Sequence, residues 1–452
     1  MAAGAMGVTA LTAGAQREQQ NARILLKGGT VLSMDPKVGN FKTADVLIEG
    51  SKIAAVQPNL NATAEVIDAS NMTVMPGFVD THRHAWQGAL RNILPNGVLG
   101  DYVRDILGVA RPLYRPEDVK IGDLISALGA INAGVTTMLD WSHIGNSPEH
   151  TDAAIAGLRE AGIRAVYAFG SGSGAQGRYP QDLRRLRTQH FSSSDQLLTL
   201  ALATGPSLGD WNLAREVGAS ITLHVNGGNE LRSVLDALGP DVTCIHCTAL
   251  TETEWRAISR KGANVSIACP IEMEMGHGVP PIQEALDHKV RPSLSVDVET
   301  EMPGDMFSQM RSVFTLQRML ALKRQRDGDR NAPALITARD VVEFATIEGA
   351  ADNRLDGKIG SLAPGKEADI IMLRMDEINV TPVNNVYGAI VLGMDTSNVD
   401  TVFIGGKIRK RAGKLTGVDL DAVRRRARES RDYIVAKAGW RETMFGGDLP
   451  GH

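Results

Sequence analysis

The stretch Pro76-Gly77-Phe78-Val79-Asp80-Thr81-His82-Arg83-His84 decides how the rest of the chain reads. Its apolar approach, from Met72 to Val79, has the character of a buried strand, and two histidines stand two residues apart at its C-terminal end. Side chains alternate along a strand, so His82 and His84 point to one face and Arg83 to the other. Two imidazoles side by side are half of a metal site. An isolated His-x-His is equally compatible with a solvated strand end, so the remaining strands decide.

Outward from this segment, apolar runs alternate with helical stretches. The candidate strands are 74–80, 135–140, 163–169, 197–203, 220–225, 242–246, 264–269 and 293–297. Eight such runs, each near-continuously hydrophobic, predict an α/β fold of the TIM (β/α)8 barrel type, whose strands are buried on both faces. Their ends carry the chemistry. Strand one ends in His82 and His84, strand two in Asp140, strand five in His224, strand six in His246 and strand eight in Asp297. A barrel of this kind places its chemistry at the C-terminal ends of its strands, which would gather these side chains at one rim.

The flanks have a different grain. From Arg23 to Val74, and again from Ile359 to Arg411, short strands alternate with tight turns, and the hairpins IEGSKI (48–53) and IGGKI (404–408) echo each other. Both regions are expected to form one composite β-sandwich built from the two chain ends. The predicted division is 1–22 as an apolar tail or leader remnant, 23–75 with 358–416 as the sandwich, 76–357 as the barrel, and 417–452 as a C-terminal helix and tail. The arginines at 424–426, 428 and 431 are that helix's solvated face.

Composition narrows the function. The chain has 452 residues, 43% hydrophobic, with 47 glycines to punctuate many short elements around a large core. With 48 basic and 52 acidic residues it carries a net charge of only −4, so no general field draws it to nucleic acid or anionic lipid. Its expected partner is a small-molecule substrate, with neither nucleic acid nor membrane and with homo-oligomer assembly left open. Three cysteines are too few for a disulfide framework. Cys244 and Cys247 fall on opposite faces of a strand and not at a helix start, so they read as core packing and not as a redox pair. Residues 1–16 resemble the hydrophobic region of an export signal without its positive start, which leaves a cytoplasmic or an exported protein.

Three imidazoles (His82, His84, His224) and one carboxylate (Asp297) suit one divalent transition metal ion and leave a position for water. Zinc fits by ligand type, with iron or manganese as alternatives. Such an ion lowers the pKa of its water from ~15.7 towards ~7, supplying hydroxide at neutral pH. Asp297 is then both ligand and proton acceptor, and His246 stands beside the water or the oxygen developing on the substrate.

With these motifs in place the chain resembles the amidohydrolase superfamily, in the branch of cytosine and guanine deaminases, S-adenosylhomocysteine deaminases and triazine hydrolases. The resemblance rests on PGFVDTHRH (76–84), LHV (223–225), IHC with Leu250, SLSVD (293–297) and IGSLAPGKEADIIML (359–373). It implies His82, His84, His224 and Asp297 as metal ligands, His246 as the catalytic histidine off the metal, and Gln87 near the substrate. Trp86, beside His84 at the rim, is read either as a pocket wall or as packing.

One position departs from that pattern. Deaminases of this branch carry a glutamate three residues after the strand-five histidine, where it shuttles a proton to the ring nitrogen and the leaving ammonia; here that residue is Gly227. Glycine carries no proton. Glu272 and Glu274, in CPIEMEMGHG after strand seven, are the candidate replacements, with Glu272 expected to reach into the pocket past an apolar wall of Met273 and Met275. The expected activity is therefore metal-dependent hydrolysis at an sp² carbon, a C–N bond of a small cyclic nitrogen-containing compound. The alternative is a non-amine leaving group, or a non-hydrolytic lyase or isomerase.

Overall fold

The computed structural model describes residues 23–441. The leader-like stretch 1–22 and the last residues of the predicted tail lie outside them. Eight parallel strands form the central sheet in sequence order: Phe78–Arg83, Val135–Ser142, Arg164–Phe169, Leu198–Ala203, Ser220–Val225, Val242–His246, Asn264–Ile267 and Ser293–Leu294. They are called barrel strands one to eight below. Strand eight is short as a regular strand, and the chain beyond it closes the barrel. Asp297 bridges Arg83 in parallel, His84 N–H donates to the Asp297 carbonyl (2.8 Å) and Asp297 N–H to the His82 carbonyl (2.9 Å). Strands one and eight are thereby locked at the level of the two histidines.

Helices follow most strands, among them Pro116–Asn132, Pro148–Ala161, Glu252–Lys261 and Met306–Arg326. The link from strand five to strand six differs: it holds only two short 3₁₀ turns, Glu230–Ser233 and Leu235–Ala237. No helix among the described residues is long and apolar enough to cross a membrane.

Nine strands from both chain ends make the second sheet. Ile370–Arg374 pairs with Met72–Pro76, which joins the early strand to the late one directly before the barrel begins. The sheet also returns on itself. Lys52 bridges Glu367, and Ala368 N–H donates to the Ser51 carbonyl (2.7 Å), so Lys52–Gln57 lies beside the residues leading into Ile370–Arg374. Ile24, Val46, Ile53, Val74, Ile370 and Phe403 fill the core so enclosed. The two echoing hairpins meet there, because a Cβ on Gly406 (φ 71°) would stand 2.0 Å from the Gly50 carbonyl oxygen, and only glycine permits that approach. Arg164, on barrel strand three, ties the two sheets through a buried pair with Asp369 (2.7 Å), the aspartate of the EAD segment.

Candidate metal centre

Alternation along strand one does what the pattern requires. His82 and His84 turn to the barrel axis, whereas Arg83 turns outward into a buried cluster with Asp80 (2.8 Å), Glu299 (3.3 Å) and the Gly304 carbonyl (3.0 Å). Asp140, at the end of strand two, accepts from Ala85 N–H (3.1 Å) and so fixes the chain just past His84. Strand five supplies His224, and the chain beyond strand eight supplies Asp297.

One ligand atom from each of His82, His84, His224 and Asp297 lies within 4.8 Å of the others. His82 Nε2 is 3.0 Å from Asp297 Oδ1 and 3.2 Å from His224 Nε2, and His84 Nε2 is 3.3 Å from Asp297 Oδ1. Two imidazole nitrogens facing each other at that distance need a proton or a cation between them, and the donor set is one a divalent transition ion takes. His84 Nδ1 donates to the Trp141 carbonyl (2.8 Å), leaving its Nε2 lone pair for the centre. Burial foremost, with neighbouring imidazoles adding, pushes His82 down to about 3 and His224 well below its ordinary value, so both are neutral at pH 7. Burial alone would raise Asp297, but His82 and His84 hold it well below the usual carboxylate range. Neutral imidazoles and an ionised carboxylate are what a metal ion needs.

His246 stands next to this group, its Nε2 3.7 Å from Asp297 Oδ2. Both His246 (φ 69°) and Asp297 (φ 67°) adopt left-handed backbone, at a cost of roughly 1–3 kcal/mol each. At His246 and Cys247 (φ 58°) the turn also swings the Cys247 thiol back to the Cys244 thiol, so these buried free cysteines meet on one side of the strand and not on opposite faces.

Glu272 lies elsewhere than expected. It is fully buried on the helix Cys269–Glu274, with Oε1 3.1 Å from His246 Nδ1 and accepting from Ala268 N–H (2.9 Å). Helical geometry separates neighbours by about 100°, so Met273 points to solvent (45% exposed) and walls nothing, while Met275 is buried. Burial opposes charge on His246, yet the hydrogen bond to Glu272 and the charge of Asp297 prevail and raise it. Glu274 is half-buried, its carboxyl pushed up by burial.

Trp86 and Gln87 follow His84 into the protein interior. Both are fully buried in the 3₁₀ turn Ala85–Leu90, which crosses the helix Pro116–Asn132 so closely that a Cβ on Gly122 would stand 2.1 Å from the Trp86 carbonyl oxygen. Trp86 Nε1 donates to His143 Nδ1 (3.1 Å) and the indole packs on Tyr114 (4.8 Å), which makes it core and not an open pocket wall. Gln87 Nε2 donates to Tyr102 Oη (2.6 Å), while Gln87 Oε1 has no protein partner.

Three side chains reach this rim without a sequence signal. Trp141 packs on His224 (ring centroids 4.3 Å) and, with Tyr179, Thr204 and Asp210, lines a cavity of about 440 Å³ opening at His224. His143 packs on His84 (4.1 Å). Glu301, four residues past Asp297, has both carboxyl oxygens buried without a partner among the described residues, and burial, then Asp297, Glu274 and Asp101, raise it to about 9. The space at Gly227 is filled from outside: Glu230 turns back so that its Oε1 lies 2.6 Å from where a Cβ on Gly227 would stand, and its Oε2 accepts from Asn226 N–H (3.2 Å).

A parallel barrel with a three-histidine, one-aspartate rim defines a metal-dependent enzyme of the hydrolase type. The chain belongs to the amidohydrolase family, which residues 73–409 match. It is 26% identical over 445 residues to the 5′-deoxyadenosine deaminase of Methanosarcina mazei, covering 92% of this chain and 99% of that protein. The 5-methylthioadenosine/S-adenosylhomocysteine deaminase of Pelotomaculum thermopropionicum is also 26% identical over 445 residues, with the same 92% and 99% covered. Among solved structures, a zinc-bound adenosine deaminase from Xanthomonas campestris superposes with a TM-score of 0.80 at 21% identity, over 92% of this chain and 99% of that one. The atrazine chlorohydrolase from Arthrobacter aurescens complexed with zinc gives 0.78 at 20%, over 90% and 100%. At such identities these two show the shared fold.

Proposed function

We propose that the protein hydrolyses a C–N bond at an sp² carbon of a small cyclic nitrogen-containing compound, with one zinc ion held by His82, His84, His224 and Asp297. The observation that carries this reading is the convergence of those four side chains, with His246 beside them and Glu272 behind it. Zinc is favoured by three imidazoles with a carboxylate, and by its presence in the two solved relatives. When bound, the ion acts as a Lewis acid and activates water for attack.

The chain's own groups handle the protons. Asp297 takes the proton that the attacking water gives up. His246, whose charged form is favoured by the hydrogen bond from Nδ1 to Glu272, presents Nε2–H to the departing nitrogen, which must be protonated to leave. Glu272 is thus a positioning residue that acts through His246. This arrangement supplies an acid that Gly227 cannot, from the next strand along. A second reading, expulsion of a non-amine group such as halide, is favoured by Gly227 alone; no observation supports a lyase or isomerase.

The test is elemental analysis of the purified protein followed by a screen of 5′-deoxyadenosine, S-adenosylhomocysteine, amino- and chlorotriazines and cyclic amides. About one zinc per chain and release of ammonia are expected. Two ions per chain, or full zinc with no turnover of any compound, would overturn the reading.

A further inference from the structure

His277 lies in the loop after the helix Cys269–Glu274, and neither the metal centre nor the acid pair uses it. Its imidazole packs edge-on against His246, ring centroids 4.5 Å apart. Its backbone is fixed on both sides: the N–H donates to the Glu272 carbonyl (3.0 Å) and the carbonyl accepts from Thr248 Oγ1 (2.7 Å). Gly276 (φ 76°) and Gly278 (φ 133°) flank it in conformations that residues with a Cβ avoid. Such a turn aims one side chain at one place.

Among the described residues, nothing meets that side chain's polar atoms. Nδ1 and Nε2 are both buried without a hydrogen-bond partner. Leaving a buried polar atom unpaired is costly, so two on one ring, held beside the reacting group, call for a ligand. Burial, then the His246 charge, pushes the ring down to about 4, so at neutral pH it is an uncharged imidazole with one N–H donor and one lone pair. Such a group fits a polar, uncharged heterocycle edge better than an anion, and it adds no positive charge beside His246.

We propose that His277 is a substrate-contacting, specificity-determining residue that hydrogen-bonds a ring nitrogen or an exocyclic N–H of the heterocycle held against His246. This rests on the hydrolase reading above and adds to it the class of substrate edge that is recognised. The contact is made in ground state and transition state alike, so its loss raises KM more than it lowers kcat.

The experiment compares zinc-loaded wild type with His277→Phe, His277→Leu and His277→Asn for zinc content, melting temperature, and kcat and KM on whichever compound of the screen the wild type turns over. The Phe and Leu variants are expected to keep zinc and to melt no lower than wild type, since an unpaired polar ring gives way to an apolar side chain. Their KM should rise by about 10–100-fold with kcat within a few-fold, the loss of one neutral hydrogen bond, and Asn should recover part of it. A lower melting temperature in both apolar variants would make His277 structural and overturn the inference, as would a wild-type KM in either. If wild type turns over nothing, the hydrolase reading fails by itself, and the melting temperatures still decide whether the ring is held for a ligand.

Discussion

Barrel strands five and six run side by side, the first ending one residue past His224 and the second on His246, yet the two ends are built in opposite ways. Past His224 come Asn226, Gly227 and Gly228, and the exposed Glu230 folds back from the next turn against the Gly227 position. After His246 the chain is crowded: Glu272 bonds Nδ1 from behind and His277 packs on the ring edge. Polar groups removed from one strand end are concentrated at its neighbour. On the proposed function, the difference assigns proton delivery to strand six, where the hydrogen bond to Glu272 favours the charged form of the imidazole. Strand five then contributes only a metal ligand, His224.

The sharpest way to break that contrast is to remove a ligand. His224→Ala should lose zinc and with it activity by roughly 10⁴-fold or more, because loss of one imidazole from this donor set weakens the hold on the ion and misplaces the water it activates. His82→Ala should do the same, and metal analysis beside kinetics checks both. If His224→Ala retained its zinc, strand five would have no role in the metal centre.

Removal of His246 should act on chemistry and leave the metal in place. His246→Ala is expected to keep about one zinc per chain while kcat falls by roughly 10²–10⁴, the usual yield of a positioned acid or oxyanion group. Zinc loss equal to that of His82→Ala would make His246 a ligand and erase the distinction between the two strand ends.

A smaller effect separates His246 from its support. Glu272→Gln removes the charge that, with Asp297, raises His246 against the burial that lowers it. Activity needs the protonated imidazole, so it is lost as pH rises through the His246 pKa, and the variant's descending limb should move to lower pH. At neutral pH kcat should drop by about 10–100-fold with zinc intact. An unmoved limb would show that the acid is some other group, with Glu230 then the nearest to Gly227.

What could be read in advance follows the same divide between strands and what lies beyond them. His82, His84, His224, His246 and Asp297 were legible because strand periodicity fixes which face a residue takes, and barrel topology fixes which end matters. The sheet built from both chain ends was legible from repeated hairpin patterns. Glu272 was legible as a residue near the site but not in its target, since its direction depends on the helix that opens at Cys269. Of the two readings of Trp86, wall or packing, the structure favours packing, because a 3₁₀ turn against Gly122 carries the ring inward. Left-handed turns at His246 and Asp297, and the closing of the Cys244–Cys247 pair, depend on backbone angles that residue type alone does not set.

The mildest prediction concerns Glu301, which belongs to neither strand end and shows how far the negative charge of the site extends. Its carboxyl is raised from 4.5 to about 9, by burial first and then by Asp297, Glu274 and Asp101. Between those two values the folded protein holds a proton that the unfolded chain releases, so stability is fully present below the lower value and falls as pH rises through the upper one. Glu301→Gln keeps the shape and abolishes the titration. The variant should therefore match the wild-type melting temperature near pH 5 and exceed it by roughly a few degrees at pH 9, with zinc content equal in both proteins. An offset that stays the same from pH 5 to pH 9 would mean that Glu301 is ionised in the fold. The rim would then carry a second negative charge beside Asp297, and the positive charge placed on His246 would have to be shared between two carboxylates in front of it and Glu272 behind.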